Sequence, residues 1–223
     1  PGCTIELSPG DSVYLPPMRS SNLAFIALSG AMDLPAVYGS LSTSINARLG
    51  GIEGRRLADG DSFLIETHHL SHPLRTLHQP EALFRPAENL RLVPGPQDYA
   101  FPAEEVDKLL NTQWILSARM DRMGLRLTGP SIQHKKSADI LSDGIVKGAV
   151  QVPGDGQPII MMADHQTTGG YTKIACVISA DLGKLARLHP HKKICFQAVT
   201  QKEAEILAKQ HHANLARIMR EAE

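Results

Sequence analysis

Between residues 89 and 178 the chain repeats one pattern: a short apolar or β-branched run, then a turn built from Gly, Pro or Asp. The runs are "NLRLVPG", "TQWILSA", "GLRLTGP", "GAVQVP", "QPIIMMA" and "KIACVIS". Turns recur every eight to fifteen residues or so, the spacing of a barrel or sandwich of short strands. Such strands need neighbours to satisfy their backbone groups, so the pattern demands a closed or layered sheet. One helix interrupts it, "PAEEVDKLLN", with Pro and acids in its first turn and Lys near its end. After residue 199 the period changes. Thr200 and Glu203 stand in capping-box spacing, and Ala204, Leu207, Ala208, Leu215, Ile218 and Met219 then fall close to one helical face. His211 and His212 are expected as exposed helix residues. The fold class that follows is mainly β, with short helices and a C-terminal helix.

The first part of the chain reads similarly but less regularly. "CTIEL", "SVYL" and "LAFIAL" are strand-like, separated by "SPGD", "PPMRSSN" and "SGAMD". "SPGD" at 8–11 and "LADGD" at 57–61 predict two similar local turns, each with Gly-Asp before a β run. Residues 67–89 have no sustained period and read as a linker between a first lobe, 1–66, and a second, 90–223. That linker carries His68, His69, His72 and His78. Their spacing lacks the glutamate of HExxH, and nearby prolines break the helix that would align ligands, so no metal is assigned.

Composition narrows the function. The 223 residues hold 23 basic and 23 acidic side chains, so no net positive field recruits nucleic acid. Aromatic residues make up 4 %, too few for stacking platforms along a single strand. No apolar run approaches the ~20 residues that span a bilayer, and no charged and apolar leader opens the sequence. The expected compartment is the cytoplasm, with Cys3, Cys176 and Cys195 as reduced thiols.

Candidate chemistry concentrates in the second part. "ARMDRMGLRLTGP" brings Arg119, Arg122 and Arg126 together, with Arg126 on the strand face opposite Leu125 and Leu127. An arginine there can fork onto an anion or form a structural ion pair. In "GAVQVPGDGQPIIMMADHQTTGGYTK", Gln151 and Gln157 flank a tight turn. Asp164, Gln166, Thr168, Gly169, Gly170, Tyr171 and Lys173 follow. Glutamines offer both a carbonyl and an NH2, and paired glycines let backbone approach a ligand. Asp164, Gln166 and Lys173 are the catalytic candidates. Arg122, Arg126, Gln151, Gln157, Thr168, Gly169, Gly170 and Tyr171 are the substrate-binding ones. Many donors with few nucleophiles suit polarising an amide or ureido oxygen, or holding a phosphate. The glycine-rich segment "YGSLSTSINARLGGIEGRRLADGD" is not a P-loop; its Arg48, Arg55 and Arg56 can bind a carboxylate or phosphate, or lie free on the surface.

The ordered motifs "GAMDLPAVYGSLSTSINARLGGIEGRRLADGD", "DRMGLRLTGP", "GAVQVPGDGQPI" and "DHQTTGGYTKIA" resemble the biotin-dependent carboxyltransferase family, also described as allophanate hydrolase subunit 2. The likeness runs from about residue 8 to residue 200. "GAMD" and "HPHKKICF" depart from the family pattern. The resemblance implies cyclophilin-like β-barrel lobes, the first incomplete at its N-terminal side, in keeping with a chain that opens on Pro1. It implies a role as the C subunit of an ATP-dependent 5-oxoprolinase, working with subunit-B-like and subunit-A-like partners to open 5-oxoproline to glutamate. Two alternatives come with it. One is transfer of CO2 from carboxybiotin to urea or a related amide, with biotin as cofactor. The other is non-catalytic binding of a kinase inhibitor.

Overall fold

The computed structural model describes residues 2–17, 23–66, 75–77 and 88–222. The linker histidines His68, His69, His72 and His78 lie outside them. The chain divides into two compact units, one of Pro1–Ala24 with Arg75–Glu223, the other of Phe25–Leu74.

In the smaller unit β1 (Ala31–Met32) pairs antiparallel with β2 (Ile65–Glu66). The two Gly-Asp turns are alike, as expected. Asp11 N–H donates to Ser8 O at 3.0 Å and Asp61 N–H to Ala58 O at 3.1 Å. Each Asp carboxylate accepts the N–H three residues back, at 2.6 Å. The glycines take φ of 91° and 90°, a region other L-residues avoid.

The larger unit runs β3 (Asn89–Pro94), a 3-10 turn at Asp98–Ala100, α1 (Ala103–Asn111), β4 (Trp114–Met120), β5 (Gly124–Thr128), β6 (Asp139–Gly144), β7 (Ala149–Gln151), β8 (Ile159–Met161), β9 (Thr168–Tyr171), β10 (Lys173–Val177), α2 (Ser179–Leu185), β11 (Lys193–Ala198) and α3 (Gln201–Arg220). Seven strands close into a barrel in the order β10-β3-β11-β4-β5-β8-β7. All neighbours are antiparallel except β11 and β3. β6 and β9 form a separate two-stranded ladder. Alternate residues fill the core, among them Leu90 and Leu92, Trp114 and Leu116, Leu125 and Leu127, Ile194 and Phe196. Trp114 is fully buried, and its indole N–H donates to Leu109 O at 2.9 Å. The ring lies where a side chain at residue 129 would stand, so Gly129 is required by space.

The expected mainly-β architecture holds, as do the helix at α1, the six named runs and the capping box at Thr200. Several elements went unread in the sequence. β6 and α2 lack a strong period, β9 is "TGGY", and β11 is the short run "KICFQA". Conversely, "SVYL" and "LAFIAL" carry no ladder among the described residues, and "CTIEL" has only the antiparallel bridge of Cys3 to Thr76. Ile5, Tyr14 and Phe25 are exposed there. Apolar alternation makes a strand only where a partner offers its backbone groups. On α3, His212 is exposed, but His211 is half-buried on the stripe with Ala204, Leu207, Ala208, Leu215 and Ile218. Met219 leaves that stripe and is exposed.

One buried carboxylate ties α2 to the barrel. Asp181 is 0 % exposed and accepts from Arg91 N–H at 2.9 Å, Arg91 Nε at 2.8 Å, an Arg91 terminal nitrogen at 2.7 Å and Lys184 Nζ at 2.7 Å. Burial alone would push its pKa up; the bonds from Arg91 and Lys184 outweigh this and hold it at about 2. A folded-state value below the unfolded one stabilises at pH above ~4, and that contribution is lost as pH falls towards 2. Asp181→Asn is therefore expected to cost about 2–3 kcal/mol at neutral pH. Denaturant unfolding should show the gap to the parent chain shrinking between pH 4 and pH 2.

Candidate functional site

Lys173 opens β10 in the barrel wall, with its side chain only 3 % exposed. A buried ammonium needs a counter-charge. Its Nζ donates to Asp143 Oδ2 at 2.7 Å. Gln97 Nε2 donates to the same oxygen at 3.1 Å, and Gln97 Oε1 accepts from Lys173 N–H at 3.2 Å. Gln97 N–H in turn donates to Lys173 O at 3.3 Å. Gln97 thus clamps residue 173 by its backbone while sharing its carboxylate. The Lys173 ammonium, then Gln97 and the Gly144 N–H, hold the Asp143 carboxyl below the usual aspartate range.

Strand register attaches a second cluster. Across β10 and β7, Lys173 faces Gln151, which is 2 % exposed. Across β6 and β9, Asp143 faces Gly169. A Cβ placed on Gly169 would stand 3.1 Å from Gln151 Nε2 and 3.3 Å from Gln166 Nε2. The same Cβ would stand 2.5 Å from Ile145 Cδ1, so the two carboxamide NH2 groups and this methyl share the space beside Gly169. Gln151 gives one hydrogen to Tyr171 O at 3.5 Å, the outer limit of a bond. Gln166 Nε2 has no acceptor among the described residues. Thr172, between Tyr171 and Lys173, is fixed from several sides. Its N–H donates to Ala138 O at 3.0 Å, and its carbonyl accepts from Val152 N–H at 3.1 Å. His134 Nε2 lies 3.1 Å from Val152 O and 3.0 Å from Thr172 Oγ1. A carbonyl only accepts, so the first contact puts the ring proton on Nε2.

Of the residues expected from sequence, Lys173, Gln151, Gln166, Gly169 and the Tyr171 backbone come together. Thr168 faces Gly144 at the end of the same ladder, and Gly170 lies against Ile140 O. Asp164 and Arg122 pair with each other on the surface, Nε to Oδ2 at 2.8 Å and a terminal nitrogen to Oδ1 at 2.9 Å. Arg126 is exposed on β5, opposite in direction to Leu125 and Leu127. Gln157 uses its whole amide on one residue. Its Oε1 accepts from Gly129 N–H at 3.0 Å, and its Nε2 donates to Gly129 O at 3.1 Å. It extends the sheet edge. Sequence reading missed Gln97, Asp143 and His134. They lie 76, 30 and 38 positions from the partners they bond, Lys173 for the first two and Thr172 for the last. No local spacing signals them. Among the described residues no group of His, Cys, Asp or Glu could hold a metal, and no helix is long and apolar enough to cross a membrane.

The family of the carboxyltransferase domain, subdomain A and B, matches residues 1–198. The chain belongs to this family. It is 35 % identical over 204 residues to the 5-oxoprolinase C subunit of Escherichia coli, covering 91 % of this chain and 64 % of that protein. The 5-oxoprolinase C subunit of Haemophilus influenzae is 37 % identical, covering 88 % and 62 %. The chain thus spans a little under two thirds of the length of these relatives. In fold, it resembles the crystal structure of Kluyveromyces lactis urea carboxylase, with a TM-score of 0.73 at 24 % identity, over 85 % of this chain and 19 % of that one.

The pairing of Lys173 with Asp143 is open to direct measurement. In carboxyl-carbon NMR, Asp143 should titrate below an ordinary aspartate in the parent chain and move up in Lys173→Met. Because its folded value is the lower one, the pair stabilises above the ordinary aspartate pKa and ceases to as acid protonates Asp143. An Asp143 signal unchanged by Lys173→Met would remove the pair as the cause.

Proposed function

We propose that this chain is part of the C subunit of an ATP-dependent 5-oxoprolinase, acting with subunit-B-like and subunit-A-like partners. The carrying observation is the convergence of Gln151 and Gln166 NH2 groups at Gly169, beside the pair of buried Lys173 with half-exposed Asp143. Identity to two bacterial 5-oxoprolinase C subunits over about nine tenths of the chain directs that chemistry to a lactam. 5-Oxoproline combines an amide oxygen with a carboxylate. The two NH2 groups suit the oxygen as it gains negative charge during opening of the ring. The Lys173 ammonium, held by Asp143, is the local cation for an anionic group. Water supplies the oxygen of the new carboxyl, the ring C–N bond breaks, and the nitrogen leaves as the amine of glutamate. ATP, as co-substrate in the assembled complex, offsets the stability of the five-membered amide. Asp164 is not carried forward as the base, since its carboxylate is engaged by Arg122 at the surface.

Similarity to the urea amidolyase of Saccharomyces cerevisiae, 24 % identical over 222 residues, 91 % of this chain and 12 % of that protein, keeps carboxyl transfer as a second reading. The same pair of NH2 donors fits a ureido oxygen, which is what biotin would present; biotin would then supply the carried carboxyl group.

The test is reconstitution with the partner subunits, ATP and 5-oxoproline, measuring glutamate release. Gln151→Leu, which fills the same space without donors, is expected to lower turnover by about 10²-fold. Gly169→Ala should lower it as well, since its Cβ displaces Ile145 Cδ1 and crowds the two amides, and should also lower the unfolding midpoint. Equal glutamate release with this chain omitted would overturn the assignment.

A further inference from the structure

The segment from Tyr38 to Asp61 in the smaller unit plays no part in the site above, yet it is tightly built. Three of the four non-glycine residues with positive φ among the described residues fall in it, Tyr38, Arg48 and Glu53, at 50°, 52° and 54°. Each such residue is held against a cost of about 1 kcal/mol or more. A side chain on Gly50 would overlap the Ser42 carbonyl, one on Gly51 the Thr43 hydroxyl, and one on Gly54 the Arg48 carbonyl. Gly50, Gly51 and Gly54 are therefore folded against Ser42, Thr43 and Arg48 with no room for a side chain.

Arg55 staples this loop. Its two terminal nitrogens donate to Asp61 at 2.7 and 2.9 Å, its Nε to Glu53 at 3.2 Å, and a terminal nitrogen to Arg56 O at 3.0 Å. Both nearby carboxylates are thus committed to Arg55. Arg48 and Arg56 are exposed and have no side-chain hydrogen bond or ion pair among the described residues. With Ile45, Glu53, Gly54 and Arg55 they line a surface cavity of about 520 Å³.

We propose that Arg48 and Arg56 bind a phosphate group in this cavity of the smaller unit, an inference that does not rest on the lactam-binding reading. Each guanidinium presents a fork of parallel N–H donors. One fork saturates a carboxylate. A phosphate near neutral pH carries a charge of about −1.5 to −2 and enough terminal oxygens to take a second fork. Its source is either free phosphate or the terminal phosphate of a nucleotide.

The experiment titrates the full chain with inorganic phosphate, ADP or acetate at constant ionic strength, following the arginine Nε–H signals by NMR. Saturable shifts at Arg48 and Arg56, with Arg55 unmoved, are expected for phosphate. Arg48→Gln and Arg56→Gln should each weaken binding about tenfold, and the double variant should abolish saturation. Backbone amide signals report that the fold persists. Tighter binding of ADP would support the site and make a nucleotide the source; equal binding would support it with phosphate alone. No saturable shift, acetate binding as tightly as phosphate, or undiminished binding in the double variant would each overturn the proposal.

Discussion

A lysine ammonium inside a barrel wall is tolerable only if a carboxylate reaches it, and much of the larger unit is arranged around that need. Lys173 begins β10, the strand that pairs with both β3 and β7 to close the barrel. Its counter-charge lies on β6, outside the barrel ladder. The β6–β9 ribbon must therefore lie against the barrel for Asp143 to meet Nζ, and Gln97 locks the approach by bonding both partners. Removing a charge from such a pair is costly because the other is left buried and unmatched.

The same register brings the donor groups into place. Facing Lys173 across one ladder is Gln151, and facing Asp143 across the other is Gly169. A polar side chain as buried as Gln151 is retained in a barrel wall only with partners to meet it. Here one hydrogen goes to the Tyr171 carbonyl at the limit of bonding distance. Its nitrogen lies, with that of Gln166 and the Ile145 Cδ1 methyl, against Gly169. The Lys173 charge and the Gln151 donor are thus set on barrel strands, while Gln166 joins them from the exposed loop between β8 and β9.

Asp181 shows a buried charge used for architecture. It has as little exposure as Lys173 but has four donors and no open side. Asp143 differs in that half of its side chain remains exposed. That difference separates a structural anchor from a group placed at the edge of a site. Gln157 commits both atoms of its amide to Gly129, whereas the Arg122–Asp164 pair lies at the surface.

Local pattern alone determined the mainly-β class, six barrel strands, the α1 helix and the capped C-terminal helix, because strand alternation, turn glycines and capping spacings act over a few residues. It also marked Lys173, Gln151, Gln166 and Gly169, since glutamines, glycines and a lysine in an apolar β context stand out in one dimension. It read "CTIEL", "SVYL" and "LAFIAL" as strands, whereas among the described residues only Cys3 of these runs finds a bridge partner, Thr76. Tertiary structure decided which polar residues meet. Asp143 rather than Asp164 faces Lys173, Gln97 joins them from 76 positions away, and Gln157 turns to Gly129. The reason is that strand register and barrel closure, not chain proximity, set which side chains share a volume; a one-residue slip would turn Gln151 to the other face of its strand.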